Sequence, residues 1–218
     1  MGDYFIDRTH KRLVRVDEFQ HHGIEGQRWG VITRNVGVNY IPKGRSMTTK
    51  EQLNAATALF NDMNKRCEYG VKIGNKRYYN MYEVDFSKYR TTPVSEFEKD
   101  PIGVCWDYTN YEHSKLDALG IPNSNYMFVR EFPNGDLQTH SFTIADIGGK
   151  SYWLEVAHSK YAGLNKVGSY KDIVTKLLGG TKDSYDLYEY NPDGMDRGLE
   201  NGDYFERATQ NLVETHQS

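Results

Sequence analysis

The first 47 residues show no apolar period long enough for a helix, and six glycines are spread between Gly2 and Gly44. This stretch reads as an extension or adaptor. Helical periodicity begins at Thr48-Thr49, where Thr48-x-x-Glu51 and Thr49-x-x-Gln52 both have the form of a capping box. Leu53, Ala56, Phe60, Met63 and Cys67 then recur at intervals of three and four and form one apolar stripe, which Gly70 terminates. Short runs rich in Val, Ile and Tyr around Gly74-Asn75 predict a hairpin over 71–86. A mixed charged connection over 87–99 follows.

Asp100-Pro101-Ile102-Gly103-Val104-Cys105-Trp106-Asp107 opens a second helix, predicted to run to Leu119 and to stop at Gly120 and Pro122. Three strands should follow. Tyr126–Phe132 leads into Asn134-Gly135, a pair suited to a two-residue hairpin turn, then come Leu137–Ala145, the Gly148-Gly149 turn, and Ser151–Ala157. An antiparallel meander is the expected result. A third helix is predicted from Ser169-x-x-Asp172 through Ile173, Val174, Leu177 and Leu178 to Gly179-Gly180. Residues 181–218 are charged, with a Tyr-Glu-Tyr-Asn-Pro-Asp-Gly stretch from Tyr188 to Gly194, and no internal repeat is present.

Composition narrows the classes. Two cysteines, Cys67 and Cys105, in 218 residues are too few for a disulfide scaffold and too dispersed for a cysteine zinc site. The apolar fraction of 38% is lean, while 17 tyrosines bring the aromatic share to 13%, so aromatic bulk is expected to replace aliphatic bulk in the core. A balance of 27 basic and 30 acidic residues lacks the basic footprint of a nucleic-acid binder. No apolar run is long enough to span a membrane, the N-terminus lacks the apolar region of a signal peptide, and Ile6 stands where a myristoylation signal needs Ser or Thr. The expectation is a soluble protein used in a reducing cytoplasm, with no cofactor and no metal.

The predicted helix places Cys105 in its first turn, where unpaired backbone N–H groups and the positive end of the helix dipole favour a thiolate. His140 and Glu155 fall on the strands that follow. If these pack against the helix, a nucleophile, an imidazole to move its proton and a carboxylate to orient the imidazole converge. Cys67, inside an apolar stripe, reads as a buried core thiol. Asp107 reads as a cap or pairing partner at the helix start, His113 as solvent-facing, and His158 as a surface or packing residue. Tyr108, Tyr111, Tyr126, Tyr152 and Tyr161 either fill the core or wall a cleft. Trp106, Tyr108 and Trp153, which flank the catalytic candidates, are assigned to substrate binding.

Four pieces of sequence in order carry a resemblance: Gly103-Val104-Cys105-Trp106-Asp107, Ala118-Leu119-Gly120-Ile121-Pro122, Thr139-His140-Ser141-Phe142 and Tyr152-Trp153-Leu154-Glu155, continued by Lys160-Tyr161-Ala162-Gly163. Together they resemble the transglutaminase-like branch of the papain-like cysteine enzymes, over about residues 71–180. The resemblance implies an α+β fold in which a helix bearing the nucleophile packs on an antiparallel sheet. It also implies Cys105 as nucleophile, His140 as acid and base, and Glu155 as orienting acid. The chain departs from the pattern in having Glu where transglutaminases usually have Asp, and in lacking a Gln or Trp upstream of Cys105 that matches an oxyanion donor. Peptide hydrolysis, deamidation and transamidation all remain open.

The string His21-His22-Gly23-Ile24-Glu25-Gly26-Gln27-Arg28-Trp29-Gly30-Val31 resembles a signature of minor head and other virion-associated proteins of phages and prophages of Gram-positive bacteria. His21, His22, Gly23, Gln27 and Trp29 are then expected to serve docking or processing, or a glycine-hinged loop. Adjacent histidines without a nearby third ligand do not read as a metal site. The expected organisation is an extension over 1–47, a transglutaminase-like domain over 48–190 and a charged tail over 191–218. The expected function is a phage- or prophage-encoded cysteine enzyme acting on a protein or peptide amide, with capsid or other virion proteins as further partners. Such a protein would reside in the host bacterial cytoplasm or the virion. The alternative is a non-catalytic virion structural or adaptor protein that keeps the fold.

Overall fold

A computed structural model describes residues 46–135 and 137–217, together with the backbone of one strand pair, β1 (Tyr4–Asp7) and β2 (Arg12–Arg15). The string from His21 to Val31, with its expected docking role, lies outside the described residues.

Helix α1 (Thr49–Arg66) begins where the sequence places it. Thr48 Oγ1 accepts from the Glu51 N–H, and the Glu51 carboxylate accepts from the Thr48 N–H, so two donors at the helix start are satisfied reciprocally. The helix ends earlier than Gly70. Cys67 is its extended C-cap, and Glu68–Tyr69 leaves as strand β3, which pairs in parallel with β6 (Ile102–Gly103). Between them Val71–Ile73 (β4) and Lys76–Tyr78 (β5) form the expected hairpin, with Gly74 at φ 61° supplying the left-handed turn residue. Past Tyr78 the chain makes short 3-10 turns rather than continuing as strand, and α2 (Val94–Phe97) interrupts the connection.

The helix that begins at Cys105, α3 (Cys105–Ala118), leads into β7 (Asn123–Glu131), β8 (Leu137–Ile147) and β9 (Lys150–Glu155). Three further strands complete an antiparallel sheet: β10 (Gly163–Val167), β11 (Ser184–Tyr190) and β12 (Leu212–His216), in the order β10-β9-β8-β7-β11-β12. The fold is α+β. Alternation along β7 sends Met127 and Val129 toward α3, and Tyr126 and Phe128 toward α4 (Tyr170–Leu178) on the opposite face. Helix α1 joins the α3 face, where Ala56, Leu59 and Met63 meet Ala145, Ile147 and Leu154. Strand β8 is therefore buried on both sides, which is why its sequence does not alternate. Helix α4 begins and ends as predicted, capped by Ser169 and Asp172 and closed by Gly179 at φ 64°.

The segment beyond Tyr190 is not a tail. It folds back as α5 (Asn201–Ala208) and β12, and Tyr204 is fully buried with its ring stacked on Trp106 at 4.7 Å. Such a stack adds about 0.5–1.5 kcal/mol to the burial itself. No helix among the described residues is long and apolar enough to cross a membrane.

Candidate active site

Cys105 stands at the first helical position of α3 because the chain entering it is held straight. The β3–β6 pairing sets Tyr69 opposite Gly103, and the Gly70 N–H donates to the Gly103 carbonyl at 3.0 Å. Val104 is still extended, at φ −102° and ψ −178°. Asp107 then locks the turn. Its Oδ2 accepts from the Val104 N–H at 2.9 Å and from the Tyr89 hydroxyl, and its Oδ1 accepts from the Thr92 N–H at 2.7 Å. Asp107 is thus a cap, as its position implied, and also a strut to the 89–92 segment. Burial raises its carboxyl to about 6 in spite of these donors. Gly103 is required here, because a Cβ would meet Asp107 Cβ at 2.5 Å.

The geometry brings His140 to the cysteine. Strands β8 and β9 pair only as far as Thr143 opposite Leu154, and just beyond that point His140 and Glu155 occupy the wedge where the strands part. His140 Nε2 lies 2.8 Å from Glu155 Oε2, and the ring also hydrogen-bonds the Cys105 side chain. With Nε2 committed to the carboxylate, Nδ1 is the ring nitrogen left for the thiol. The second carboxylate oxygen, Oε1, accepts from the His158 N–H at 2.6 Å, so Glu155 is fixed from both ends. All three side chains are buried: Cys105 is 1% exposed, Glu155 2% and His140 7%.

Burial by itself would strip the imidazole of its proton. The Glu155 charge and the hydrogen bonds to Cys105 and Glu155 outweigh it and push His140 up to about 10. The imidazolium is therefore the favoured form at neutral pH, placed between the Glu155 carboxylate and the Cys105 side chain. Cys67 is the opposite case: desolvation pushes its thiol far up, which keeps it protonated and inert.

The aromatic residues assigned to substrate binding do not line an open wall. Trp153 is fully buried against Phe142 and Tyr161, Tyr108 packs edge-on to Tyr69 and Phe97, and Trp106 lies under Tyr204. Their apolar area is worth more in the core than at a surface, so the core has taken them. His113 does not face solvent either. Its side chain is 12% exposed, and Nδ1 lies 2.8 Å from Asn123 Oδ1. Its Nε2 lies 3.4 Å from Asp117 and 3.3 Å from Asp193, and these three form a cluster whose ligand atoms fall within 4.8 Å of one another. His158 has a packing role, with its ring 4.8 Å from Tyr161 and edge-on to His140.

Two residues near the site carried no signal in the sequence. Glu112, two turns along α3 from Cys105, is 2% exposed and hydrogen-bonds Thr143, whose hydroxyl in turn donates to Asn125 at 3.1 Å. Desolvation, reinforced by the Glu155 charge, holds its carboxyl well above the usual range. Tyr69, at the end of β3, is opposite Gly103 and has its hydroxyl buried within electrostatic reach of Cys105. A buried carboxyl in a polar-looking helix and a tyrosine in a two-residue strand have no periodicity that would reveal them.

No protein-family model matches the chain, and no curated protein matches it. Among solved structures, an arylamine N-acetyltransferase from Bacillus cereus, described as having a Cys-His-Glu catalytic triad, is similar with a TM-score of 0.38 and 10% identity, over 67% of this chain and 59% of that one. A candidate cysteine protease from Cytophaga hutchinsonii is similar with a TM-score of 0.29 and 17% identity, over 65% of this chain and 42% of that one. The chain thus spans less than two thirds of either protein.

Proposed function

We propose that the protein is a cysteine-dependent acyl-transfer enzyme acting on amide bonds of a protein or peptide, with Cys105 as nucleophile, His140 as acid and base, and Glu155 as the residue that orients and charges the imidazole. The observation that carries this reading is the continuous hydrogen-bonded path from Cys105 through His140 to Glu155, begun at a helix N-terminus. In the reaction the Cys105 sulfur bonds to the amide carbonyl carbon, and the carbonyl electrons move onto oxygen. Their return breaks the C–N bond, while His140 delivers its proton to the departing amine. A thioester remains. Water then gives hydrolysis or deamidation, and a second amine gives transamidation, with His140 taking the proton of the attacking group.

The N-terminal string from His21 to Val31 supports placing this enzyme in a phage or prophage context, with virion proteins as partners. A second reading, a structural protein that keeps the fold without turnover, is favoured by the burial of Cys105. Thiol labelling separates the two. Iodoacetamide at pH 6 should alkylate Cys105 at least tenfold faster than an ordinary exposed thiol and leave Cys67 unmodified, as read by peptide mass spectrometry. Labelling of Cys105 no faster than a reference peptide thiol would refute the enzyme.

A further inference from the structure

A carbonyl attacked by Cys105 places a full negative charge on oxygen, and the chemistry needs fixed donors where that charge forms. One is supplied by position: the Cys105 N–H, in the first turn of α3, has no partner within the helix. The second must come from elsewhere in the chain.

Among the described residues, the hydroxyls of Tyr69, Tyr89, Tyr190 and Tyr204 lie within electrostatic reach of the Cys105 side chain. Three of them are directed elsewhere. The Tyr89 hydroxyl donates to Asp107, the Tyr190 hydroxyl lies 3.2 Å from Ser141 Oγ and 2.9 Å from the Tyr204 hydroxyl, and the Tyr204 hydroxyl donates to Asn110 at 3.1 Å. Tyr69 differs because the Cys105 backbone amide, not only the side chain, acts on its hydroxyl. The fold also fixes it there. Tyr69 is opposite Gly103 in the β3–β6 pairing, two residues from the thiol, and its ring stands edge-on to Tyr108, one turn along α3, with centroids 6.0 Å apart. Its oxygen is enclosed by protein.

We propose that the Tyr69 hydroxyl and the Cys105 N–H form the oxyanion hole, so that Tyr69 is a further catalytic residue. The inference rests on the reading of Cys105 as a nucleophile. A carbonyl oxygen entering between the phenol and the amide would take a hydrogen bond from each, and both strengthen as it becomes an oxyanion. Burial, together with the nearby negative groups, pushes the phenol well above its ordinary value, so it keeps the proton that it must donate.

The test compares two reactions of the same thiol in native protein and in Tyr69→Phe. Acylation by p-nitrophenyl acetate passes through an oxyanion, whereas alkylation by iodoacetamide does not. Tyr69→Phe should slow the acylation burst on the order of 10²-fold and leave the alkylation rate within twofold, which also reports that the thiol and its surroundings are intact. Equal loss of both rates would make Tyr69 a support for the thiol, and loss of neither would make it a packing residue; either overturns the proposal. Native protein whose Cys105 is not acylated at all would instead overturn the nucleophile reading, and this inference with it.

Discussion

Replacing Glu155 with Gln keeps the shape of the side chain and an oxygen for His140, but deletes the charge. In the native site the imidazole reaches about 10 against an ordinary 6.5, although burial works against it. That gap corresponds to about 5 kcal/mol in favour of the imidazolium. Glu155 supplies the largest favourable part, so in Glu155→Gln the burial cost remains and His140 should fall to its ordinary value or below. The folded native chain holds a proton that the unfolded chain releases above pH 6.5. The stabilisation is therefore complete below pH 6.5 and drains away at about 1.4 kcal/mol per pH unit as pH climbs toward 10. The variant has no such proton to lose. Urea unfolding of both proteins at intervals from pH 6 to pH 10 should show native stability declining relative to the variant by several kcal/mol over that interval. A difference between them that stays constant across the interval would refute the assignment of an elevated His140 to the Glu155 charge.

Two further substitutions test the surroundings of the site. Glu112 has its carboxyl raised by burial, so its contribution to stability is full below about 4.5 and becomes a cost as pH rises past that value; Glu112→Gln, permanently neutral, should gain about 1–3 kcal/mol at pH 8 and little at pH 4.5, a rise of several degrees in Tm at the higher pH only. A Tm difference that does not grow with pH would show that Glu112 is ionised or solvated. Gly103→Ala forces a Cβ to within 2.5 Å of Asp107 Cβ, where neither backbone can yield; a loss of about 1–3 kcal/mol in denaturant unfolding is expected, with slower alkylation of Cys105 as the first turn of α3 is displaced.

What could be read in the sequence was whatever is local. Capping residues announce α1 and α4, the Asn134-Gly135 pair joins β7 to β8, and the motif around Cys105 marks a helix start whose position the structure reproduces. The missed elements are those in which polar groups are buried. Strand β11 pairs with β7 inside the sheet, yet Ser-Tyr-Asp-Leu-Tyr-Glu-Tyr looks like surface, because its tyrosines bury their rings and satisfy their hydroxyls on carboxylates: Tyr188 on Asp186 and Tyr185 on Glu214. Glu112 was missed for the same reason. Trp153, Tyr108 and Trp106, assigned to substrate binding because they flank the catalytic candidates, are buried in the core, which neighbouring positions in the sequence did not reveal.

The lean aliphatic content and the candidate chemistry have a common origin. A core made from Tyr rather than Leu and Ile brings hydroxyls inside with its rings, and each must find a partner or lose about 1–3 kcal/mol. Around the first turn of α3 those partners are Asp107 for Tyr89, Asn110 for Tyr204 and Ser141 for Tyr190. The same requirement that stabilises the aromatic core therefore surrounds the thiol with oriented dipoles that need not reorganise when charge appears, which is the condition under which a hydrogen bond contributes most to a transition state. If Cys105 is the nucleophile proposed above, the polarity of this core contributes to its reactivity. The effect should be local: removing the Tyr69 hydroxyl should change acylation, while the distant Tyr185–Glu214 pair, on the far side of the sheet, can alter stability without touching the rate.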